Sequence, residues 1–170
     1  AQNSLTYWLE ARKKYYGEND IGITSYNLDV RNLKEEIKQI KSKYNFIIID
    51  SPASITFNTI QIIKASDRVF VPVQPSPLDL MATVPFLNLV KQEKKNPIIF
   101  LNRVMPRVRL TDAMILRLRY AGAKIARSRI SSKVLFAETF SVGRGVIDIS
   151  VTSDAAKEII NAGNEIIRNF

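Results

Sequence analysis

Residues 44–52, Tyr-Asn-Phe-Ile-Ile-Ile-Asp-Ser-Pro, constrain the fold of this chain more than any other stretch. The apolar run at 46–49 is too short for a helix and rich in β-branched residues, which predicts a strand buried on both faces, as in a parallel sheet. Asp50 follows this run directly, and Ser51 and Pro52 end it. Because ligands of open α/β sheets bind at the carboxyl ends of the strands, Asp50 is a candidate site residue.

An apolar strand that ends in Asp is typical of a Walker B element. Such an element holds a carboxylate near the magnesium ion that bridges nucleotide phosphates, often through bound water. The same pattern is typical of an ordinary buried strand that ends in a turn, since turns favour Asp and Ser. The run by itself is compatible with both interpretations.

Residue usage excludes several kinds of chemistry. The chain has no cysteine and no histidine, so disulfides, thiolate nucleophiles, the usual zinc sites and Ser-His-Asp triads are impossible. Any catalysis must use carboxylates, Lys or Arg, backbone amides and a hard cation. With 170 residues, 46% hydrophobic and 24% charged, the chain is expected to form one globular domain over residues 1–170. The lack of a long apolar run or a leader predicts a cytoplasmic protein.

Basic residues are concentrated in one part of the chain. The net charge is +9, and the window from Arg103 to Lys133 holds nine basic residues against one acidic residue, Asp112. This concentration indicates a surface for a phosphate backbone, because Lys and Arg bind polyanions by releasing counterions. A solvated face that keeps the protein soluble is the alternative.

Predicted strands and helices alternate along the chain. Strands are predicted at 21–26, 46–49, 68–73, 97–101 and 123–130, and helices at 1–16, 30–43, 55–65, 78–92, 132–140 and from residue 153 or 154. Thr111 is a candidate cap for a further helix, although the alternation at 116–119 also permits a strand. Pro72 suggests that its strand lies near an edge or that the ladder ends there, and Pro85 should kink or restart its helix. The pattern predicts an α/β fold, a doubly wound, mostly parallel sheet with helices on both faces.

Several stretches together resemble the ParA family of partition ATPases, within the deviant-Walker group that also contains MinD. Residues 2–8 are similar to the end of the family's Asp-Pro-Gln-x-Ser-x-Thr-x-Trp segment, and residues 46–52 to its Walker B strand. Residues 71–79, Val-Pro-Val-Gln-Pro-Ser-Pro-Leu-Asp, resemble a highly characteristic family stretch, and Asn102-Arg103 its adenine-side loop. A late family pattern is matched by Lys133, Phe136, Gly143, Val146 and Asp148, with Lys and Asp as conservative departures.

The resemblance implies a P-loop NTPase-like fold that uses ATP and Mg²⁺. Asp50 would hold a magnesium-bound water, and the γ-phosphate switch would comprise Ser51, Pro52 and Ser54. Pro75 and Asp79 would line the nucleotide and the dimer interface, with Asn102 and Arg103 near the base. For Ser54 and Asp79, a turn or helix cap is an equally good interpretation.

The resemblance also implies a homodimer that binds DNA non-specifically while ATP is bound. Such a protein segregates plasmids or chromosomes with a ParB-like adaptor, and would be cytoplasmic and nucleoid-associated. The implied DNA contacts are Arg107, Arg109, Arg117, Arg119, Lys124, Arg127, Arg129 and Lys133. A MinD-like membrane-associated regulator is one alternative, but residues 154–170 carry more acidic than basic side chains, and no membrane contact is expected. A non-catalytic remnant or interaction protein is another alternative.

The largest departure from the family is the missing phosphate-binding loop. No Gly-rich Lys-Gly-Gly-x-Gly-Lys-Thr type sequence occurs in the chain. With it are missing the backbone amides and lysines that bind phosphates and the Thr hydroxyl that ligates magnesium. We expect an N-terminally truncated family member, lacking on the order of 40 residues that form a βα unit and a further strand. ATP hydrolysis by these residues alone is expected to be negligible.

Overall fold

Three parallel strands form the centre of the protein. The computed structural model describes residues 4–18, 22–52, 54–105 and 110–169. The strands β1 (Val69–Val73), β2 (Pro97–Val104) and β3 (Lys124–Ser131) lie in the order β1-β2-β3. Val69 and Val73 of β1 pair with Pro97 and Leu101 of β2. Strand β3 also pairs with β2, but the register shifts between Ile99 and Leu101 of β2 and again between Leu101 and Val104.

Eight α-helices are described around this sheet. Helices α4 (Pro77–Gln92) and α5 (Leu110–Tyr120) connect successive strands. The others are α1 (Ser4–Tyr16), α2 (Leu33–Ile40), α3 (Phe57–Ala65), α6 (Val134–Ser141), α7 (Val146–Ile149) and α8 (Asp154–Ile167). Short 3₁₀ turns, Val30–Asn32 and Lys41–Lys43, flank α2 and complete the helix predicted at 30–43. The hydroxyl of Ser153 caps α8 by accepting the Ala156 N–H.

The central strand β2 is buried on both faces. Ile99 and Leu101 pack with residues of α4 and α5, including Leu87 and Leu118. Ile98 and Phe100 point to the opposite face, where they form a second cluster with Ala126 of β3 and Ala162 of α8. Because alternate side chains of one strand enter two cores, helices must cover both sides of the sheet. The predicted fold class, a doubly wound parallel sheet, is confirmed.

The predicted strand at 46–49 is not formed. Residues 46–50 belong to no strand among the described residues, and Phe46 and Ile48 are 49% and 93% exposed. A strand exists only where a neighbouring strand offers its backbone N–H and C=O groups, and the apolar run finds no such neighbour here. The expectation of a strand at 21–26 is also wrong for residues 22–26, and Ile21 lies outside the described residues.

Expectations for two prolines and one helix cap can be compared with the structure. Pro72 lies in β1, which pairs only with β2 in the described part of the chain, so the edge position predicted from this proline is confirmed. Helix α4 continues through Pro85 without restarting. Thr111 lies inside α5, which begins at Leu110, and its buried hydroxyl has no partner among the described residues, so it is not the cap.

Helix α1 is held against the turn before α7 by one arginine. The Arg12 guanidinium donates to the Gly143 carbonyl at 3.2 Å and to the Asp148 carboxylate at 2.7 Å, and stacks over the rings of Trp8 and Tyr16. The Trp8 Nε1–H donates to the backbone carbonyl of the residue after Gly143 at 3.2 Å. Gly143 has a φ of +69° and is buried against the backbone of α1. The approach of two backbones at this point requires glycine.

We predict that Gly143→Ala destabilises the protein strongly. The new Cβ would lie 2.0 Å from the Arg12 nitrogen and 2.4 Å from the Ala11 carbonyl carbon, in a conformation that L-residues avoid. The free energy of unfolding in urea should fall by about 3 kcal/mol or more.

Two other glycines provide matched controls. Gly22 has a φ of +67° but open space around it, so Gly22→Ala should cost only about 1–2 kcal/mol. Gly163, in the middle of α8 with nothing near its Cβ position, should gain about 0.5–1 kcal/mol when changed to Ala. Equal losses for the Gly143 and Gly22 variants would contradict the close contact with α1.

Candidate functional site at the carboxyl edge of the sheet

The carboxyl end of β1 runs into a closely hydrogen-bonded turn at the start of α4. Ser76 caps this helix by accepting the Asp79 N–H at 3.1 Å, and its hydroxyl donates to Asp79 Oδ1 at 3.3 Å. The other oxygen, Asp79 Oδ2, accepts the Gln74 N–H at 2.9 Å. Pro77 occupies the first turn of the helix, where its missing N–H costs nothing. Asp79 therefore stabilises the loop that contains Pro75. This corresponds to the interpretation of Asp79 as a turn or cap residue.

The carboxyl end of β2 contains an unusual backbone conformation. Arg103 has a φ of +52°, which is uncommon for a residue other than glycine. The Asn102 side chain stabilises it by accepting the Arg103 N–H at 2.9 Å. The pairing with β3 shifts between Leu101 and Val104, so the strand bulges where Asn102 and Arg103 lie. Strained backbone of this kind is concentrated at functional sites.

Two glutamates of α8 bind the outer edge of β3. Glu165 accepts the Arg127 N–H on one oxygen and the Ser128 N–H on the other, both at 2.8 Å. Glu158 accepts the Ser131 N–H and hydroxyl at 2.8 Å, and its carboxylate is 2.5 Å from Lys133 Nζ. These carboxylates satisfy backbone groups of an edge strand that would otherwise lack partners.

These contacts keep both glutamates ionised. Burial, the largest single influence, raises the pKa of Glu158, but hydrogen bonds from Lys133 and Ser131 together lower it below its usual range. Burial likewise raises the pKa of Glu165, and the hydrogen bonds from Arg127 and Ser128 lower it by more. In α7, which packs against α8, the hydrogen bond from Arg12 lowers the pKa of Asp148.

Asp50 is exposed and lies in a segment that belongs to no helix or strand. Its carboxylate has no hydrogen-bond or ion-pair partner among the described residues, and Ser51, Pro52 and Ser54 are exposed as well. At the start of this segment, the Tyr44 hydroxyl forms a hydrogen bond of 2.8 Å with the Tyr26 hydroxyl. At its other end, the Ser54 carbonyl accepts the hydroxyl of Thr59, a buried residue of α3. Ser54 thus supports the start of α3 through its backbone.

The described residues do not by themselves form a site for magnesium and phosphates. Asp50 is an available carboxylate of the right type, since Mg²⁺ is bound through one or two carboxylates and water. No cluster of three or more carboxylates that could hold a metal occurs among residues 4–18, 22–52, 54–105 and 110–169. Asp79 is engaged by the turn, so it does not join Asp50 as a ligand.

The basic window is spread over two edges of the sheet. Arg117 and Arg119 are exposed on either side of the buried Leu118, as expected for residues about 200° apart on a helix. Arg129 pairs with Leu101 towards the carboxyl end of β3, whereas Lys124 begins the strand, about 16 Å away.

The remaining cations of the window differ in availability. Arg127 is exposed, but Lys133 is half-buried in its ion pair with Glu158. Arg107 and Arg109 lie outside the described residues.

Comparison with known proteins identifies the family. The family model for the AAA domain matches residues 13–103, more than half of the chain. The maintenance of carboxysome distribution protein A of Halothiobacillus neapolitanus is 25% identical over 98% of the chain and 79% of its own length. A ParA family protein of Mycoplasma genitalium is 25% identical over 89% of the chain and 59% of its own length. The chain belongs to the ParA family of ATPases.

A further relative has a similar sequence, and two solved structures share the fold. The sporulation initiation inhibitor protein Soj of Bacillus subtilis is 28% identical over 81% of the chain and 57% of its own length. The cell division ATPase MinD of Pyrococcus furiosus matches with a TM-score of 0.70 at 21% identity, over 84% of this chain and 60% of that one. MinD from Pyrococcus horikoshii, solved with Mg-ADP, matches with a TM-score of 0.68 at 22% identity, over 81% of this chain and 56% of that one. The chain thus spans about three fifths of most of these proteins.

Sequence reasoning missed the two glutamates of α8. Glu158 and Glu165 are seven residues apart, which places them on one side of a helix, but the same spacing is common on solvated faces. Ser128 and Ser131 in a basic strand gave no signal of their own, because their backbone N–H groups, rather than their side chains, make most of these contacts. The Gln74 N–H, the partner of Asp79, was missed for the same reason.

We predict that Glu165→Gln loosens α8 from β3. The carboxylate accepts two N–H groups, whereas an amide can accept only on its oxygen and leaves one N–H facing an NH₂ group. The free energy of unfolding in urea at pH 7 should fall by about 1–3 kcal/mol. Glu35→Gln, at an exposed position of α2, serves as a control and should change it by less than about 0.5 kcal/mol.

The same pair of variants tests the effect of pH. Because the folded-state pKa of Glu165 is lowered, its stabilisation is complete above the unfolded pKa of about 4.3 and is lost as pH falls through the lower folded value. The difference between wild type and Glu165→Gln should therefore shrink as the protein is acidified. A difference that stays constant down to acid unfolding would exclude the ionised carboxylate as the cause.

Proposed function

We propose that this chain is part of a ParA-type partition or positioning ATPase, which binds DNA without sequence specificity as an ATP-dependent homodimer and moves a cargo through a ParB-like adaptor. The observation that carries the proposal is family membership over nearly the whole chain, together with exposed arginines on α5 and β3.

We propose that this chain supplies only some of the groups that bind the nucleotide. Asp50 supplies the carboxylate for a magnesium-bound water, and Ser51 and Pro52 follow it in an exposed segment that is able to move. The bulge at Asn102 and Arg103 provides a preformed loop for the base side of ATP at the carboxyl edge. The phosphate-binding loop is not in the sequence, so the groups that would neutralise the β and γ phosphates must come from outside these residues.

We predict that these 170 residues do not hydrolyse ATP measurably. Positioning and electrostatic stabilisation supply nearly all of phosphoryl-transfer catalysis, and one exposed carboxylate provides little of either. Phosphate release with Mg-ATP should match that of an Asp50→Ala variant, with an intact ParA-type ATPase as positive control. Turnover that Asp50→Ala abolishes would contradict this expectation and would locate a complete site within the chain.

DNA binding is proposed for the exposed cations of α5 and β3. Arg117 and Arg119 project from the helix, and Arg127 and Arg129 from the neighbouring strand. Arginine suits this role because its planar guanidinium binds phosphate oxygens in pairs. Lys133 is proposed as a positioning residue instead, since Glu158 holds it at 2.5 Å.

The DNA proposal predicts a uniform loss of affinity when the arginines are neutralised. In the ATP-bound dimer of an intact version, Arg117→Gln/Arg129→Gln should weaken binding to unrelated duplexes to the same extent and reduce the slope of log K against log salt by about 1.8, corresponding to two phosphate contacts. Fluorescence anisotropy between 50 and 200 mM salt, roughly the range in which such slopes are measured, gives both quantities.

The control for this experiment removes the same charge elsewhere. Lys34→Gln/Lys38→Gln changes two exposed lysines on α2 and should leave the salt slope unchanged. If both double variants behave alike, the arginines act only through net charge and the proposed surface is refuted.

The packing of α8 supports a DNA-binding role over a MinD-like membrane role. This helix uses Ala155, Ala156 and Ala162 in the core and Glu158 and Glu165 on β3. The helix carries one basic residue, Lys157, against three acidic residues, whereas a membrane-binding helix needs a basic face. No helix in the described ranges combines the length and apolarity needed to cross a bilayer.

A further inference from the structure

A basic groove lies at the amino edge of the sheet, opposite the proposed nucleotide edge. It encloses about 600 Å³ and runs past the first residues of β1, β2 and β3. Four cations line it, Arg68, Lys94, Lys95 and Lys124, together with the amides of Asn96 and Asn169. We call this the amino-edge groove.

The groove contains little negative charge, and the lysine that pairs with it lies outside the groove. Asp67 is the one acidic residue among those that line it, and its carboxylate is 3.9 Å from Lys41 Nζ. Among the described residues, Lys94, Lys95 and Lys124 have no acidic partner within ion-pair distance. A concave site with charges of one sign concentrates the field and attracts counterions.

Asn169 fixes two of the cations in place. Its backbone carbonyl accepts the Arg68 Nε–H at 2.7 Å, and its Oδ1 accepts the Lys124 ammonium at 2.6 Å. The amide is held in turn, because its Nδ2 donates to the Glu165 carbonyl at 2.7 Å. Surface lysines that serve only for solubility are usually mobile. Because Arg68 and Lys124 are already held in place, binding of a ligand would cost less of their side-chain conformational entropy.

The shape of the groove favours a chain of phosphates over a single anion. Three parallel strands spaced about 4.8 Å apart place the starts of β1 and β3 about 10 Å from each other. That length corresponds to about three base-pair steps along the axis of a duplex, at about 3.4 Å per step. Among the described residues that line the groove, none is aromatic, and the recognition proposed below uses charge rather than base stacking.

We propose that the amino-edge groove binds the phosphate backbone of duplex DNA, as a second contact surface separate from the arginines of α5 and β3. The inference rests on the proposed function for the class of ligand, but its site and its residues are different. Binding here needs neither ATP nor Asp50, because the groove is on the other side of the sheet. Recognition is independent of base sequence, since only Lys and Arg side chains and backbone phosphates take part.

The test compares three double variants that each remove two positive charges. Lys94→Gln/Lys95→Gln changes the groove, Arg117→Gln/Arg129→Gln changes the other surface, and Lys34→Gln/Lys38→Gln is the control. With a fluorescent duplex of about 24 base pairs, the groove variant should lose about tenfold in affinity near 100 mM salt and about 1.8 units of salt slope. Unchanged thermal unfolding would exclude a loss of structure.

The outcomes separate this inference from the proposed function. If the groove variant matches the α2 control while the arginine variant is weakened, the groove proposal is overturned and the proposed function stands. If the groove variant alone is weakened, the groove is confirmed. If the wild-type chain does not bind the duplex in the absence of ATP, the groove proposal is overturned, whereas the ATP-dependent binding proposed for the arginines of α5 and β3 stands.

Calorimetry with sodium tripolyphosphate distinguishes a small-anion site. Binding of tripolyphosphate that the Lys94→Gln/Lys95→Gln variant loses, with DNA affinity unchanged, would assign the groove to free polyphosphates and overturn the DNA assignment. Competition between tripolyphosphate and the duplex in the wild type, which disappears in the groove variant, is the result that the proposal expects.

Discussion

The position of β3 depends on two carboxylates that α8 presents to its outer edge. Without Glu158 and Glu165, the strand would expose backbone N–H groups on one side and rely on an irregular pairing with β2 on the other. The same contacts bring the apolar side of α8 onto Ile98 and Phe100, and so close the second face of the sheet. Loss of either carboxylate would leave the partly buried N–H groups of Ser128 or Ser131 without these partners, which costs folding free energy.

This clamp also arranges charge on the molecular surface. Glu158 engages Lys133, and the end of α8 places Asn169 between Arg68 and Lys124. A sequence window that contains nine basic residues is thereby divided. Some cations are used for structure, some project from α5 and β3, and Lys124 joins residues from distant parts of the chain at the amino edge. Charge that is continuous in sequence is not continuous in space.

The opposite side of the sheet is less complete. Strand β1 pairs on one side only in the described part of the chain, and the apolar run at 46–49 lies outside the sheet with Ile48 almost fully exposed. The residues expected at the phosphates, Asp50, Ser51 and Pro52, are consequently exposed and belong to no helix or strand. In contrast, the turn at Asp79 and the bulge at Asn102 are already ordered by their own hydrogen bonds. The two loops proposed for nucleotide contacts at the ends of β1 and β2 are therefore held by hydrogen bonds.

The sequence by itself determined the fold class, the family and most helices, because apolar periodicity, caps and the stretch at 71–79 are local signals. It also indicated that Pro72 lies at an edge. Tertiary structure alone decided that the run at 46–49 forms no strand, since a strand requires a neighbour that local sequence cannot supply. It also decided which acidic residues hold β3 and which lysines share a groove. Those contacts join α8, β1 and β3, which are far apart in the chain, through backbone groups that carry no sequence signature.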